Sequence, residues 1–178
     1  MLEFRIRPAT LADAPALGRL HRACWLETYA GVLSDRFLAA ASAESLADEW
    51  AGMLAAGSAD ATVPGSIVLV AERHDPSSAA SRSEPPEPVG FARSAPSDDP
   101  EAPRPTKLDS LYTLVSTHGS GLGARLLDGV LDGRPAYAWI VTANERARRF
   151  YEKHGFALDG LGHPYSPWDD AHCSRMVR

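Results

Sequence analysis

Cysteine, positive charge and long apolar runs are all scarce in this chain. It has 178 residues and two cysteines, Cys24 and Cys173. They lie far apart and form no metal-ligand spacing, so no metal is expected. Both read as reduced thiols of an intracellular protein, with Cys24 on the core face of a helix. A catalytic thiol would need a paired histidine, and the sequence argues for none. The net charge of −5 gives no reason to expect a nucleic-acid partner. The opening MLEFRIRPAT lacks the apolar core of a secretory signal. No apolar run reaches the length of a transmembrane helix, so no membrane partner is expected and the protein is placed in the cytoplasm. No internal repeat is visible.

What is present suits one domain with an ordinary core, at 44% hydrophobic residues. Residues 4–7 read as a first strand. Thr10 to Asp13 has the form of a capping box, and Asp13 with Pro15 offers a second start for the same helix. Leu17, Leu20, His21 and Cys24 then share one face, where His21 reads as a packed histidine. A second helical region covers 34–55, broken or joined near Ala43. Strands follow at 67–72 and 89–93. Two stretches rich in Pro, Ser and acidic residues, about 74–88 and 95–106, bury little surface and are expected as mobile loops within a single domain spanning 1–178. A late strand is expected at 136–142. Asn144 then caps a helix that runs to His154, with Gly155 as its stop. Strands at 156–158 and 173–177 should pair, joined by a turn-rich connection over 163–170.

The densest signal is LDSLYTLVSTHGSGLGA, residues 108–124. Leu111 to Val115 is rich in β-branched and aromatic residues, as a strand requires. Gly119, Gly121 and Gly123 make a turn, and Leu122, Leu126, Leu127, Val130 and Leu131 follow at helical spacing. Such a strand, glycine turn and helix start present unpaired N–H groups and a partial positive charge, which suits a phosphate. The glycines would also serve a plain turn. A Walker loop fails, because Gly123 is followed by Ala124 and Arg125 rather than Lys and Ser or Thr. Gly119-x-Gly121-x-x-Ala124 satisfies the dinucleotide fingerprint, with Glu145 near the distance of a ribose-binding acid. That fingerprint opens a series of parallel units, and only one more strand–helix unit remains here.

His118-Gly119-Ser120-Gly121-Leu122-Gly123 resembles the Arg/Gln-x-x-Gly-x-Gly/Ala loop of the GNAT superfamily, the acyl-CoA-dependent N-acetyltransferases, with His118 in the first position. The resemblance extends to IRPATLADAPALGRLHRACWLETYAG (6–31), to WIVTANERARRFYEKHGF (139–156) and to the ending SRMVR. It implies an α/β (α+β) fold. Its mixed, mostly antiparallel sheet has six to seven strands, a splayed central parallel pair and helices on both faces. It implies acetyl-CoA as the acyl donor and a primary amine of a small molecule or peptide as acceptor, and it leaves a homodimer as an assembly to test. A non-catalytic acyl-CoA sensor of the same fold is the alternative.

Mapped by that resemblance, His118, Gly119, Ser120, Gly121, Leu122, Gly123 and Ala124 would hold the pyrophosphate. Leu111, Tyr112 and Thr113 would pair with the pantetheine arm as an added half-strand. A backbone N–H near Thr113 or Leu114 would stabilise the developing oxyanion. Asn144 and Tyr151 lie seven apart on one helical stripe, roughly 10 Å along the axis. Asn144 would contact pantetheine, and Tyr151 would meet the sulfur. A helix cap and a core aromatic are the plain alternatives. The family often carries Glu where Lys107 stands, so Asp109 becomes the candidate base, with Glu27 as another. Trp25 and Tyr29, four apart, would line the acceptor site or pack in the core. The cluster Arg146, Arg148, Arg149 and Lys153 reads as a solvated face or as a contact to cofactor phosphate. If His118 touches phosphate, binding should weaken at alkaline pH.

Overall fold

The computed structural model describes residues 3–56, 65–74 and 87–178. Strands β1 (Glu3–Pro8), β2 (Ile67–His74), β3 (Pro88–Pro96), β4 (Thr106–Thr113), β5 (Ala136–Val141), β6 (Ala157–Tyr165) and β7 (Ala171–Val177) form one sheet in the order β1-β2-β3-β4-β5-β7-β6. Every adjacent pair is antiparallel except β4 and β5. The helices are α1 (Ala14–Tyr29), α2 (Asp35–Ala40), α3 (Ala43–Ala56), α4 (Leu122–Leu131) and α5 (Glu145–Lys153).

The period-two pattern of the strands sorts the core into two layers. Leu69 and Ala71 of β2, Ala92 of β3 and Leu108 of β4 face α4, whose Leu122, Leu126, Leu127, Val130 and Leu131 are all buried. Each such side chain contributes about 1.5–3 kcal/mol. Together they fix the start of α4, and so the glycine turn, against β4. Val70 of β2 and Phe91 of β3 point the other way, onto Leu17, Leu20 and Cys24 of α1 and Trp50 of α3. Those helices cross closely because Gly18 has no side chain. A Cβ there would lie 2.3 Å from Ala43 O and 2.6 Å from Ala47 N.

Several sequence-based boundaries shift. Thr10 N–H and Oγ1–H both donate to Asp13 Oδ2, at 2.7 and 2.9 Å, but this closes a 3-10 turn over Leu11–Asp13. The α-helix proper starts at Ala14, with Pro15 in its first turn. The second helical region breaks between Ala40 and Ala43. β4 ends at Thr113 rather than Val115, because Val115–Thr117 winds into a 3-10 turn. β6 runs on to Tyr165, well beyond the expected 158. It absorbs an irregularity where Gly160 adopts φ +88 and Asp159 accepts from Leu161 N–H, at 3.0 Å. The turn-rich connection therefore shrinks to 166–170. Of the two expected loops, 75–86 of the first lie outside the described residues. The second gives Ala95 and Pro96 to β3. Its remainder is tied down by Ser97 N–H to Pro105 O at 2.8 Å and by Arg104 to the Arg178 carbonyl at 2.9 Å.

Candidate active site

The parallel pairing of β4 with β5 covers Thr106↔Ala136, Lys107↔Tyr137 and Leu108↔Ala138, then stops. The cause lies on the other edge of β4. Arg93 pairs with Ser110 but Ser94 with Leu108, so Asp109 is an extra residue. A bulge of this kind bends its strand and resets the side-chain alternation. Leu108 and Leu111, three apart, therefore both reach the α4 layer, while Tyr112 points to α1. Asp109 is fixed by Arg93 Nη1 on Oδ2 at 2.6 Å and Lys107 Nζ on Oδ1 at 3.2 Å. Both oxygens of the candidate base are thus already engaged by cations.

Beyond the bulge a cleft of about 410 Å3 opens between the two strands, a size typical of small-molecule sites. Leu114 N–H donates to Val89 O at 3.0 Å. By antiparallel alternation, Leu111 and Thr113 then turn their main-chain groups away from β3, into the splay. Thr113 O meets the His118 ring there, at 3.3 Å from Nε2. The Leu114 amide, one of two expected at the oxyanion, is therefore unavailable, and Thr113 is left.

The glycine turn supplies the mouth of the cleft. Gly119 and Gly121 have φ of +79 and +82, and a Cβ on either would meet nothing within 4 Å. These positions need glycine for their backbone, and the space beside them is open. The amides of Gly119, Gly121, Gly123 and Ala124 have no acceptor among the described residues. Gly123 is small for another reason: its Cβ would press on Phe150 at 3.2 Å. Ser120 is exposed, and its hydroxyl is used within the turn. Its hydroxyl donates to Thr117 O at 2.6 Å and accepts from Leu122 N–H at 3.3 Å.

Helix α5 forms the facing wall. Asn144 caps it, with Oδ1 accepting from Ala147 N–H at 3.0 Å. Both Asn144 and Tyr151 line the cleft. Tyr151 packs against Phe150 and Phe156, so it is a core aromatic and a cleft residue at once. Burial, with the neighbouring Tyr29, pushes its phenol well above its usual range. It stays protonated and can donate.

The four basic residues of α5 divide. Arg148 pairs with Glu152 at 3.3 Å and Arg149 with Glu145 at 2.6 Å, both on the solvent side. This leaves Glu145 outside the cleft and ends its candidacy as a ribose acid. Arg146 and Lys153 line the cleft. Arg146 Nη1 lies 2.6 Å from His118 Nδ1 and also meets Nε2. Partial burial, then Arg146, lowers the His118 pKa, with the Thr113 carbonyl and Glu27 opposing. His118 is accordingly neutral near pH 7, and Arg146 carries the charge. The seven-residue spacing of Arg146 and Lys153, the same as that of Asn144 and Tyr151, was the available signal for this split.

Through the gap the cleft reaches the α1 side of the sheet. Tyr29, Trp139 and Trp168 line it there. Tyr29 Oη is 3.1 Å from Tyr112 Oη, and burial raises both phenols. Trp25, expected at the acceptor site, is buried behind this wall, edge-on to Trp168 at 5.3 Å and stacked on Phe37 at 5.7 Å. Glu27 is also absent from the lining. Its carboxylate accepts from Val115 N–H at 2.9 Å. Cys24 is buried, which raises its thiol to about 12, so it remains unreactive. Trp139 and Trp168 escaped the sequence reading because they sit on β5 and after β6, far from the motif.

A splayed parallel pair above a glycine turn and a helix start is the arrangement that the sequence resemblance implies. Residues 64–158 match the family model described as an acetyltransferase (GNAT) domain, and the chain belongs to that family of acetyltransferases. A Mycobacterium tuberculosis protein described as a probable N-acetyltransferase is 26% identical over 169 residues, 92% of this chain and 86% of that one. Among solved structures, the PaiA N-acetyltransferase of Thermoplasma acidophilum in complex with coenzyme A superposes with a TM-score of 0.69 at 17% identity, covering 99% of both chains. YncA of Salmonella typhimurium with its cofactor acetyl-CoA gives 0.63 at 20% identity, over 99% of this chain and 93% of that one. These two likenesses concern the fold.

Proposed function

We propose that the protein transfers an acetyl group from acetyl-CoA to a primary amine of a small molecule or peptide. The observation that supports this most is the gap between β4 and β5, with the main chain of Leu111 and Thr113 turned into it and, at its mouth, four amides without an acceptor among the described residues. The residues present fit the donor. Gly119, Gly121, Gly123 and Ala124 offer N–H groups to a diphosphate at the helix start. Leu111 and Thr113 offer a strand edge to the amides of a pantetheine arm. Arg146 supplies a cation beside His118, where the family loop carries Arg or Gln.

Acetyl-CoA contributes an acyl thioester, in which the acceptor nitrogen bonds to the carbonyl carbon, the carbon–sulfur bond breaks, nitrogen loses one proton and sulfur gains one. The chain's main contribution is placement. Thr113 N–H is positioned to donate to the carbonyl oxygen as charge develops. Tyr151, kept protonated by burial, donates to the departing sulfur. Asp109 is assigned to holding the bulge, because Arg93 and Lys107 occupy it. The amine's proton then leaves through water, and turnover should rise with pH toward the acceptor's own pKa. A cytoplasmic location accords with two buried, unpaired thiols.

Calorimetric titration with acetyl-CoA, followed by release of free thiol across a panel of amines, tests this reading. Binding with amine-dependent thiol release is expected. No heat and no shift in melting temperature at saturating acetyl-CoA would remove it. Binding without any release would favour the sensor alternative.

A further inference from the structure

The acceptor end of the cleft differs in chemistry from the donor end. Tyr29 of α1, Trp139 of β5 and Trp168 from the turn between β6 and β7 meet there from three separate elements. Tyr29 lies edge-on to Trp168 at 5.6 Å, and Trp25 with Phe37 forms a second layer behind. Trp139, with His163 packed 4.7 Å from its ring, and Trp168, with Tyr165 at 6.4 Å, are only partly buried and both line the cleft. Charge is nearly absent. Asp109 is the sole carboxylate lining the cleft among the described residues, and it is already paired with two cations. Arg146 and Lys153, which have no carboxylate partner among the described residues, stand on α5 with the proposed donor residues. Arg175, which lies over the Trp139 ring at 5.9 Å, is neutralised by Asp159.

A polyamine or a basic peptide brings several positive charges and needs free carboxylates. An amino acid brings a carboxylate and needs a free cation. Among the described residues no free carboxylate lines the cleft, and its free cations stand on α5 rather than among the rings. The geometry points to an acceptor that is a primary amine on a flat, uncharged aromatic body, held between Trp139 and Trp168, so that its only ionisable group is the nitrogen that becomes acetylated. The inference rests on the acetyl-transfer reading above and narrows its acceptor. Ring-to-ring contact gives the affinity, and an ammonium not yet deprotonated gains from the same ring faces.

The test compares 2-phenylethylamine, spermidine and a lysine-containing peptide in thiol release with saturating acetyl-CoA. In parallel, 2-phenylethylamine is titrated onto the protein–CoA complex, with tryptophan fluorescence as the readout. The ring amine is expected to exceed both others in kcat/KM by roughly tenfold or more, and to quench fluorescence saturably. Trp168→Leu should raise its KM several-fold with kcat kept, and Trp168→Phe should restore it. A preference for spermidine or for the peptide would overturn the inference and leave the acetyltransferase reading standing. Absence of quenching in a complex shown by calorimetry to hold CoA would overturn it as well, whatever the turnover. Failure of acetyl-CoA itself to bind is the separate result that would remove the underlying reading.

Discussion

At the end proposed for the donor, between β4 and α4, the cleft presents amides and glycines. At the end proposed for the acceptor, between α1, β5 and the β6–β7 turn, it presents aromatic side chains. The first surface is main chain held by local geometry, at Gly119, Gly121 and the end of β4. The second is assembled from Tyr29, Trp139 and Trp168, which are remote in sequence. A backbone site suits a co-substrate shared across a family, since it asks little of side-chain identity. A side-chain site can be changed residue by residue without disturbing the sheet, so this is where members of one fold can diverge.

The contrast is broken most severely at Gly121. With φ at +82, Gly121→Val forces the turn out of the left-handed region and misaims at least two amides. Hydrogen bonds to charged groups contribute about 1.5–3 kcal/mol each, so the Kd for acetyl-CoA should rise about 100-fold or more, read by calorimetry. Tyr151→Phe comes next and separates chemistry from binding. The kcat should fall about 100-fold while the Kd for acetyl-CoA stays within about twofold. Equal turnover in the two proteins would remove Tyr151 from the mechanism.

Acid should lower the stability of the fold through His21, on the α1 side of the sheet. His21 sits among Trp25, Trp50, Phe91 and Tyr112, and burial lowers its pKa to about 4. Unfolded, it titrates near 6.5. Between those values the unfolded chain binds more protons, so stability is full above the upper one and is lost as pH falls toward 4. The loss is on the order of 2–3 kcal/mol. Denaturant titrations at pH 7 and pH 4.5 measure it, and His21→Phe should flatten that limb.

Arg146→Gln removes the cation proposed for the diphosphate and leaves Lys153 in the lining. It should weaken acetyl-CoA binding about tenfold and reduce the salt dependence of that binding. The smallest effect concerns His118. Because this ring is already neutral beside Arg146, acetyl-CoA affinity should be flat between pH 7 and 8. A fall across that interval would return the phosphate contact to His118.

Much of the donor end was legible in order along the chain. The glycine turn, the helix behind it, Asn144 as a cap and Tyr151 on its stripe all depend on neighbours within one or two turns of chain. The acceptor end was not. Trp25 and Tyr29 share a helix face by spacing, yet only Tyr29 reaches the cleft, because Trp168 and Phe37 close over Trp25. Asp109 was legible as a carboxylate on the central strand. That it is the bulged residue, clamped by Arg93 from the next strand, was not.

The sequence by itself determined the mixed architecture, the family and the glycine turn, since strand period, helix period and left-handed glycines are local properties of the backbone. The tertiary structure alone decided where β4 leaves β5, which cations neutralise Asp109, why Arg146 rather than His118 bears the charge, and which rings line the cleft. Each of those depends on distances between segments many residues apart, and no local pattern encodes such distances.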